Sequence, residues 1–161
     1  MNVSTHTRLT AWITMLRLAL GFYIYGATVL EVFVYYPSWP YITGGWRAFK
    51  QSVDELIIPL YVVPTFLVYI PAVLMFWFRS VAIPRWMIWA SLILLLIPTI
   101  STLLIQLPIQ FSLEADFDPV TYERLRYTDL WYRQPAAFAG VLLNGWMLLR
   151  ILPDSTVPYA G

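Results

Sequence analysis

WMIWASLILLLIPTISTLLIQLPIQF, residues 86–111, decides the architecture. A helix needs roughly 20 predominantly apolar residues to cross about 30 Å of hydrocarbon, and this run supplies them. Working outward, three more runs meet that length: AWITMLRLALGFYIYGATVLEVFVYY at 11–36, IIPLYVVPTFLVYIPAVLMFWF at 57–78, and the stretch 135–152. The expected fold is all-α: an integral membrane four-helix bundle in a single transmembrane domain, 1–161, with spans at about 11–36, 57–78, 86–111 and 135–152. The first run is too long, and too rich in tyrosine at its end, for a cleaved signal peptide, so it reads as a retained helix. Pro59, Pro64 and Pro71 predict a kinked second helix. Gly140 and Gly145 offer close helix contact in the fourth.

Composition points the same way. Of 161 residues, 60% are hydrophobic and only 12% charged, against about a quarter in a soluble domain. The mean hydropathy is +0.66. Trp and Tyr are abundant, as expected where amphipathic rings settle at the headgroup level. A net charge of +1 without a basic block argues against a nucleic-acid partner, leaving the lipid bilayer as the expected surroundings. There is no cysteine and one histidine, His6. Thiolate metal sites and a two-histidine haem therefore cannot be built from one copy, and no cofactor is expected.

Four spans place both termini on one side. Lysine and arginine divide evenly, with Arg8, Arg17, Arg79, Arg85 and Arg150 on the terminal side and Arg47, Lys50, Arg124, Arg126 and Arg133 opposite. The short connection RSVAIPR (79–85) carries only arginines, while the opposite loops are acidic, which favours cytoplasmic termini in a bacterial inner membrane. Those two longer loops, 37–56 and 112–134, are expected to form a lid. Within the first, Trp46, Phe49, Val53 and Ile57 recur at helical spacing and predict an amphipathic helix lying along the interface. In the second, Asp118 followed by Pro119 predicts a capped helix start.

Polar side chains inside apolar spans need a partner or a purpose. Thr28, Glu31 and Tyr35 share one face of the first helix; Thr99, Thr102, Gln106 and Gln110 form a stripe on the third. Counted from the same side at about 1.5 Å per residue, Glu31 and Gln106 lie at matching depth. Asp129 and Arg133 stand at the entrance to the fourth helix. The expectation is a polar pocket opening toward the lid, with Tyr35, Trp39, Gln106, Gln110 and Asp129 as candidate ligand-binding residues. If the protein is an enzyme, Glu31 would be its acid or base and Arg133 would polarise an oxygen. The plainer alternative is interhelical hydrogen bonding with Glu31 paired to Arg133. Arg17 reads most simply as a snorkelling side chain, and Asn144 as a packing donor.

Three segments, VLEVFVYYPSWPYI (29–42), IQLPIQFSLEADFD (105–118) and RLRYTDLWYR (124–133), resemble those of small four-helix bacterial integral membrane proteins. More remotely, the layout is similar to the anthrone-oxygenase-like proteins. The resemblance implies a four-helix bundle whose polar motifs gather on one side. Where that pattern often carries histidines, before the Tyr-Pro step and after the proline of the third-helix motif, this sequence has Tyr35 and Gln110. The relatives' histidine-dependent chemistry therefore does not carry over.

The expected function is that of a non-catalytic accessory subunit of a membrane complex, or of a binder of a lipid, quinone or pigment. Membrane-complex subunits or a second copy are the partners such a role implies. The alternative is a cofactor-independent oxygenase, isomerase or cyclase acting on a hydrophobic substrate.

Overall fold

The computed structural model describes residues 3–152, which contain helices and turns and no strand. Four helical rods account for nearly all of them. The first runs Val3–Leu30 and continues through a π turn, Glu31–Tyr35, into two short turns, Tyr36–Ser38 and Trp39–Tyr41. The second comprises Trp46–Ile57, a π turn at Ile58–Val62, Val63–Leu67 and Tyr69–Leu74. The third is Arg85–Ser101, a π turn at Thr102–Gln106 and Leu107–Ser112. The fourth is Pro119–Thr128, a π turn at Asp129–Arg133 and Gln134–Ile151.

Three stretches, His6–Tyr41, Trp46–Leu74 and Arg85–Ser112, are long and apolar enough to cross a membrane. The fourth rod is not among them: its first third is polar, and Gln134, Asn144 and Arg150 lower the hydropathy of the remainder. The outward faces of all four rods are nevertheless apolar: Trp12, Phe33, Leu60, Phe66, Trp89, Leu104, Leu142 and Leu149 are exposed.

Consecutive rods run in opposite directions, and two separate apolar clusters show it. Ile13, Met75, Ile83, Met87 and Met147 gather the start of the first and third rods with the ends of the second and fourth. Val32, Trp39, Trp46, Ile109, Leu113 and Leu125 do the converse at the other end. Near one end, Arg79 closes the turn between the second and third rods, donating through Nη1 to the Ile83 carbonyl at 2.8 Å.

The expected lid is instead helix. Trp46–Ile57 does not lie along an interface as a separate element; it forms the first turns of the second rod, because Ile58 continues in helical backbone. Only residues 42–45 and 113–118 leave the helical path on that side. Gly45 makes the first of these turns possible, with a φ of +68° that side chains with a Cβ disfavour. Asp118 caps the fourth rod as expected, accepting from the Thr121 backbone N–H at 2.8 Å. Two long-range bonds fasten this end: Trp46 Nε1 donates to the Leu113 carbonyl at 2.6 Å, and the Tyr122 hydroxyl to the Tyr36 carbonyl at 3.0 Å.

The π turns follow one rule. Each is five residues long and ends two residues before a proline: Pro37, Pro64, Pro108 and Pro135. In each, the residue before the proline donates five positions back: Tyr36 to Glu31, Val63 to Ile58, Leu107 to Thr102 and Gln134 to Asp129. A proline has no N–H to donate, and its ring collides with the carbonyl four residues earlier. Widening the preceding turn by one residue relieves that collision while keeping a hydrogen bond.

Candidate functional site

The four π turns meet at Arg133. Its Nη2 pairs with Glu31 Oε2 from the first rod and donates to Asp129 Oδ2 at 2.8 Å, while Nε faces Asp129 Oδ1 at 2.5 Å. Its Nη1 reaches Thr102 Oγ1 of the third rod at 3.4 Å, and the guanidinium lies 5.8 Å from the ring centre of Tyr61 in the second. One side chain thus contacts all four rods at the level where each is widened. Two carboxylates against one guanidinium leave this cluster formally at −1 when both are ionised.

Glu31 is held from its other side as well. The Tyr36 hydroxyl donates to Glu31 Oε1 at 2.9 Å and itself accepts from Gln110 Nε2 at 2.9 Å. The tyrosine that bonds Glu31 is therefore Tyr36, five residues on, rather than Tyr35, four residues on. In a regular helix Glu31 and Tyr35 would share a face; the extra residue in the π turn brings Tyr36 there and turns Tyr35 aside. The third rod repeats the device, with Ser101 donating to Gln106 Oε1 at 3.0 Å across the same five-residue interval.

A cleft of about 130 Å³ runs between the rods, with Glu31, Gln110 and Arg133 on its wall at one end. Its middle is apolar, lined by Ile24, Phe66, Leu94, Leu95, Pro98 and Val141. At the far end stand Arg17, Gly21 and Asn144. From Arg17 to Glu31 is fourteen residues of helix, so these polar ends are about 21 Å apart.

Of the residues singled out from sequence, Glu31, Gln110 and Arg133 are brought together on the cleft wall. Asp129 is fully buried behind Arg133 and orients it. Gln106 is buried against Ser101 and does not line the cleft. Tyr35 and Trp39 pack edge-to-face at 5.2 Å inside an aromatic cluster with Trp46, Phe117 and Tyr122. That cluster fills the end of the bundle beyond Arg133. Lys50 is buried in it, 4.8 Å over the Trp39 ring and 3.4 Å from Asp54.

The chain matches no family model, no curated protein and no solved structure. The site must therefore be understood from its own groups. Among the described residues no three His, Asp or Glu side chains gather as metal ligands, and both carboxylates of the polar cluster face Arg133.

Sequence reasoning did not single out Tyr36, Tyr61 or Arg17 as site residues. Tyr61 lines the cleft and its hydroxyl lies 3.1 Å from Thr28 Oγ1. The signal for Tyr36 was Pro37, which marks the turn that shifts the register. Arg17 does not snorkel: it is 2% exposed, enclosed between the rods.

Proposed function

We propose that this chain is an integral membrane protein, its termini cytoplasmic, that binds a lipophilic ligand between its helices without transforming it. Three helices of sufficient length and apolarity support membrane insertion, as do the exposed apolar side chains on the outside of all four rods. The fourth rod then crosses with its polar first third outside the hydrocarbon. The observation that carries the binding reading is the cleft itself, which has an apolar wall between two polar ends. A cleft of that volume encloses part of a hydrocarbon body together with a few hydrogen-bonding groups, the rest of the molecule lying outside it.

Binding is favoured over catalysis by how Glu31 is held. Its Oε1 accepts from Tyr36 and its Oε2 is paired with Arg133, so the lone pairs a general base would use are engaged. The enzyme reading rests on Glu31 being the carboxylate on the cleft wall, with 13% of its side chain exposed. Glu31→Gln separates the two: a binder keeps its ligand, whereas a cofactor-independent oxygenase, isomerase or cyclase loses turnover.

The test is mild-detergent purification followed by mass spectrometry of the extracted small molecules. A bound lipophile is expected with the wild type and absent from Ala137→Trp, which fills the cleft from the fourth rod. Equal ligand content in two well-folded proteins would refute the proposal.

A further inference from the structure

We propose that Arg17 and Asn144 form the subsite for an anionic head, so that the cleft takes an acidic single-chain amphiphile. The inference rests on the binding reading above and specifies its ligand. Arg17 lies in the first rod, about 21 Å along the helix from Val3, with its side chain buried on the cleft wall. Among the described residues no carboxylate pairs with it, and neither its Nε nor its Nη1 has a hydrogen-bond partner. Tyr69 is close enough to interact with it electrostatically, but the Tyr69 hydroxyl is engaged by the Leu95 carbonyl at 3.1 Å and by Thr99 at 2.8 Å.

A buried guanidinium without a counter-charge is costly, and chains retain one where a partner arrives from outside. The local geometry is arranged for that arrival. Asn144 of the fourth rod is also buried: its Nδ2 packs with Arg17 Nη1 against Gly21, and its Oδ1 has no hydrogen-bond partner. A Cβ built on Gly21 would lie 2.6 Å from Arg17 Nη1 and closer still to Asn144 Nδ2, so only glycine lets both side chains pack against the first rod at this level. A guanidinium without a counter-charge beside an amide, both on the wall at one end of the cleft, is a donor set that suits a carboxylate or phosphate. The contrast with Arg133 is informative. That cation already holds two carboxylates and has no capacity for a third, whereas Arg17 holds none. The apolar wall of Ile24, Leu94, Leu95 and Val141 then takes the chain.

The rival arrangement has the Asn144 amide turned over, so that its oxygen accepts from Arg17 and the pair satisfies itself. The two differ in stability as well as in binding. If Arg17 awaits a ligand, Arg17→Met removes an unpaired buried charge and leaves the ligand-free protein as stable or more so. If Arg17 serves Asn144, the same change destabilises it.

The experiment measures equilibrium binding of radiolabelled oleate, a monoacyl phosphate and oleyl alcohol to the full chain in nonionic detergent micelles. Wild type, Arg17→Met, Arg17→Lys and Ala137→Trp are compared, with thermal unfolding of each ligand-free protein. The expected result is that Arg17→Met weakens one or both acidic probes by roughly tenfold or more, the size of a charged hydrogen bond. Oleyl alcohol binding is unchanged in that variant, Arg17→Lys recovers part of the loss, and Ala137→Trp loses all three probes. Preference between oleate and the phosphate identifies the head group. Equal acidic-probe binding by wild type and Arg17→Met, with Ala137→Trp still defective, would overturn the subsite and leave the cleft standing. Destabilisation by Arg17→Met without loss of affinity would likewise overturn it. Failure of the wild type to bind any probe would overturn both the subsite and the binding reading.

Discussion

Tyr36, and not Tyr35, hydrogen-bonds Glu31, because the π turn ahead of Pro37 inserts one residue between the positions that share a helix face. The same insertion occurs in every rod, and the side chains it brings together are those that surround Arg133. At these four prolines the widened turn therefore sets which polar groups meet in the middle of the bundle, whereas Pro98 sits in regular helix without one.

Arg133 is the most consequential of these groups. Replacing it by Met leaves Glu31 and Asp129 as two adjacent carboxylates with no cation. Breaking a buried ion pair by removing one partner costs about 3–5 kcal/mol, and unfolding of Arg133→Met in detergent should show a loss of that size. A loss under about 1 kcal/mol would mean the pair is solvated, as surface pairs are.

The turn at Gly45 should be intolerant of a side chain. Its φ of +68° places an L residue in the left-handed region, so Gly45→Ala should cost roughly 1–2 kcal/mol in thermal unfolding. Gly44→Ala, where φ is not positive and added bulk meets open space, should cost less.

Acid should loosen the start of the fourth rod. The Asp118 carboxylate accepts from the Thr121 hydroxyl and backbone N–H and from the Val120 N–H, and these bonds hold its pKa below the ordinary carboxylate value. A lowered folded-state pKa contributes stability that is present above the unfolded-state pKa and lost as pH falls through the folded-state value. Protection of the amides in Pro119–Thr128, exchange being referred to its intrinsic rate at each pH, should therefore fall toward acid pH in the wild type. In Asp118→Asn this contribution to the acid dependence should vanish.

Much of this was legible in the sequence, and the misses share a cause. Four apolar runs gave four helices, and Asp118 followed by Pro119 gave the cap. The pairing of Glu31 with Arg133 was legible because buried charges at one depth seek each other. The aromatic cluster was not: Trp46–Ile57 has an amphipathic pattern, and nothing in that pattern shows that its apolar face packs on Trp39 and Tyr122 rather than on lipid. Arg17 was mistaken for a snorkelling residue because position along an apolar run does not show which face turns inward, and Arg17 lies on the buried face with Ile13, Thr14 and Leu18. The one-residue shift from Tyr35 to Tyr36 arose from applying a 3.6-residue period across a proline-linked turn, where it does not hold.

The most direct test of proline-set register is the stability difference between Tyr36→Phe and Tyr35→Phe, measured by unfolding in the same detergent. Both changes keep the ring and remove only the hydroxyl. Tyr36→Phe leaves Glu31 Oε1 and Gln110 Nε2 without their shared partner and should cost about 1–3 kcal/mol; Tyr35→Phe should cost clearly less. Equal costs, or a greater loss from Tyr35→Phe, would contradict the proline-set register and restore the regular-helix pairing of Glu31 with Tyr35.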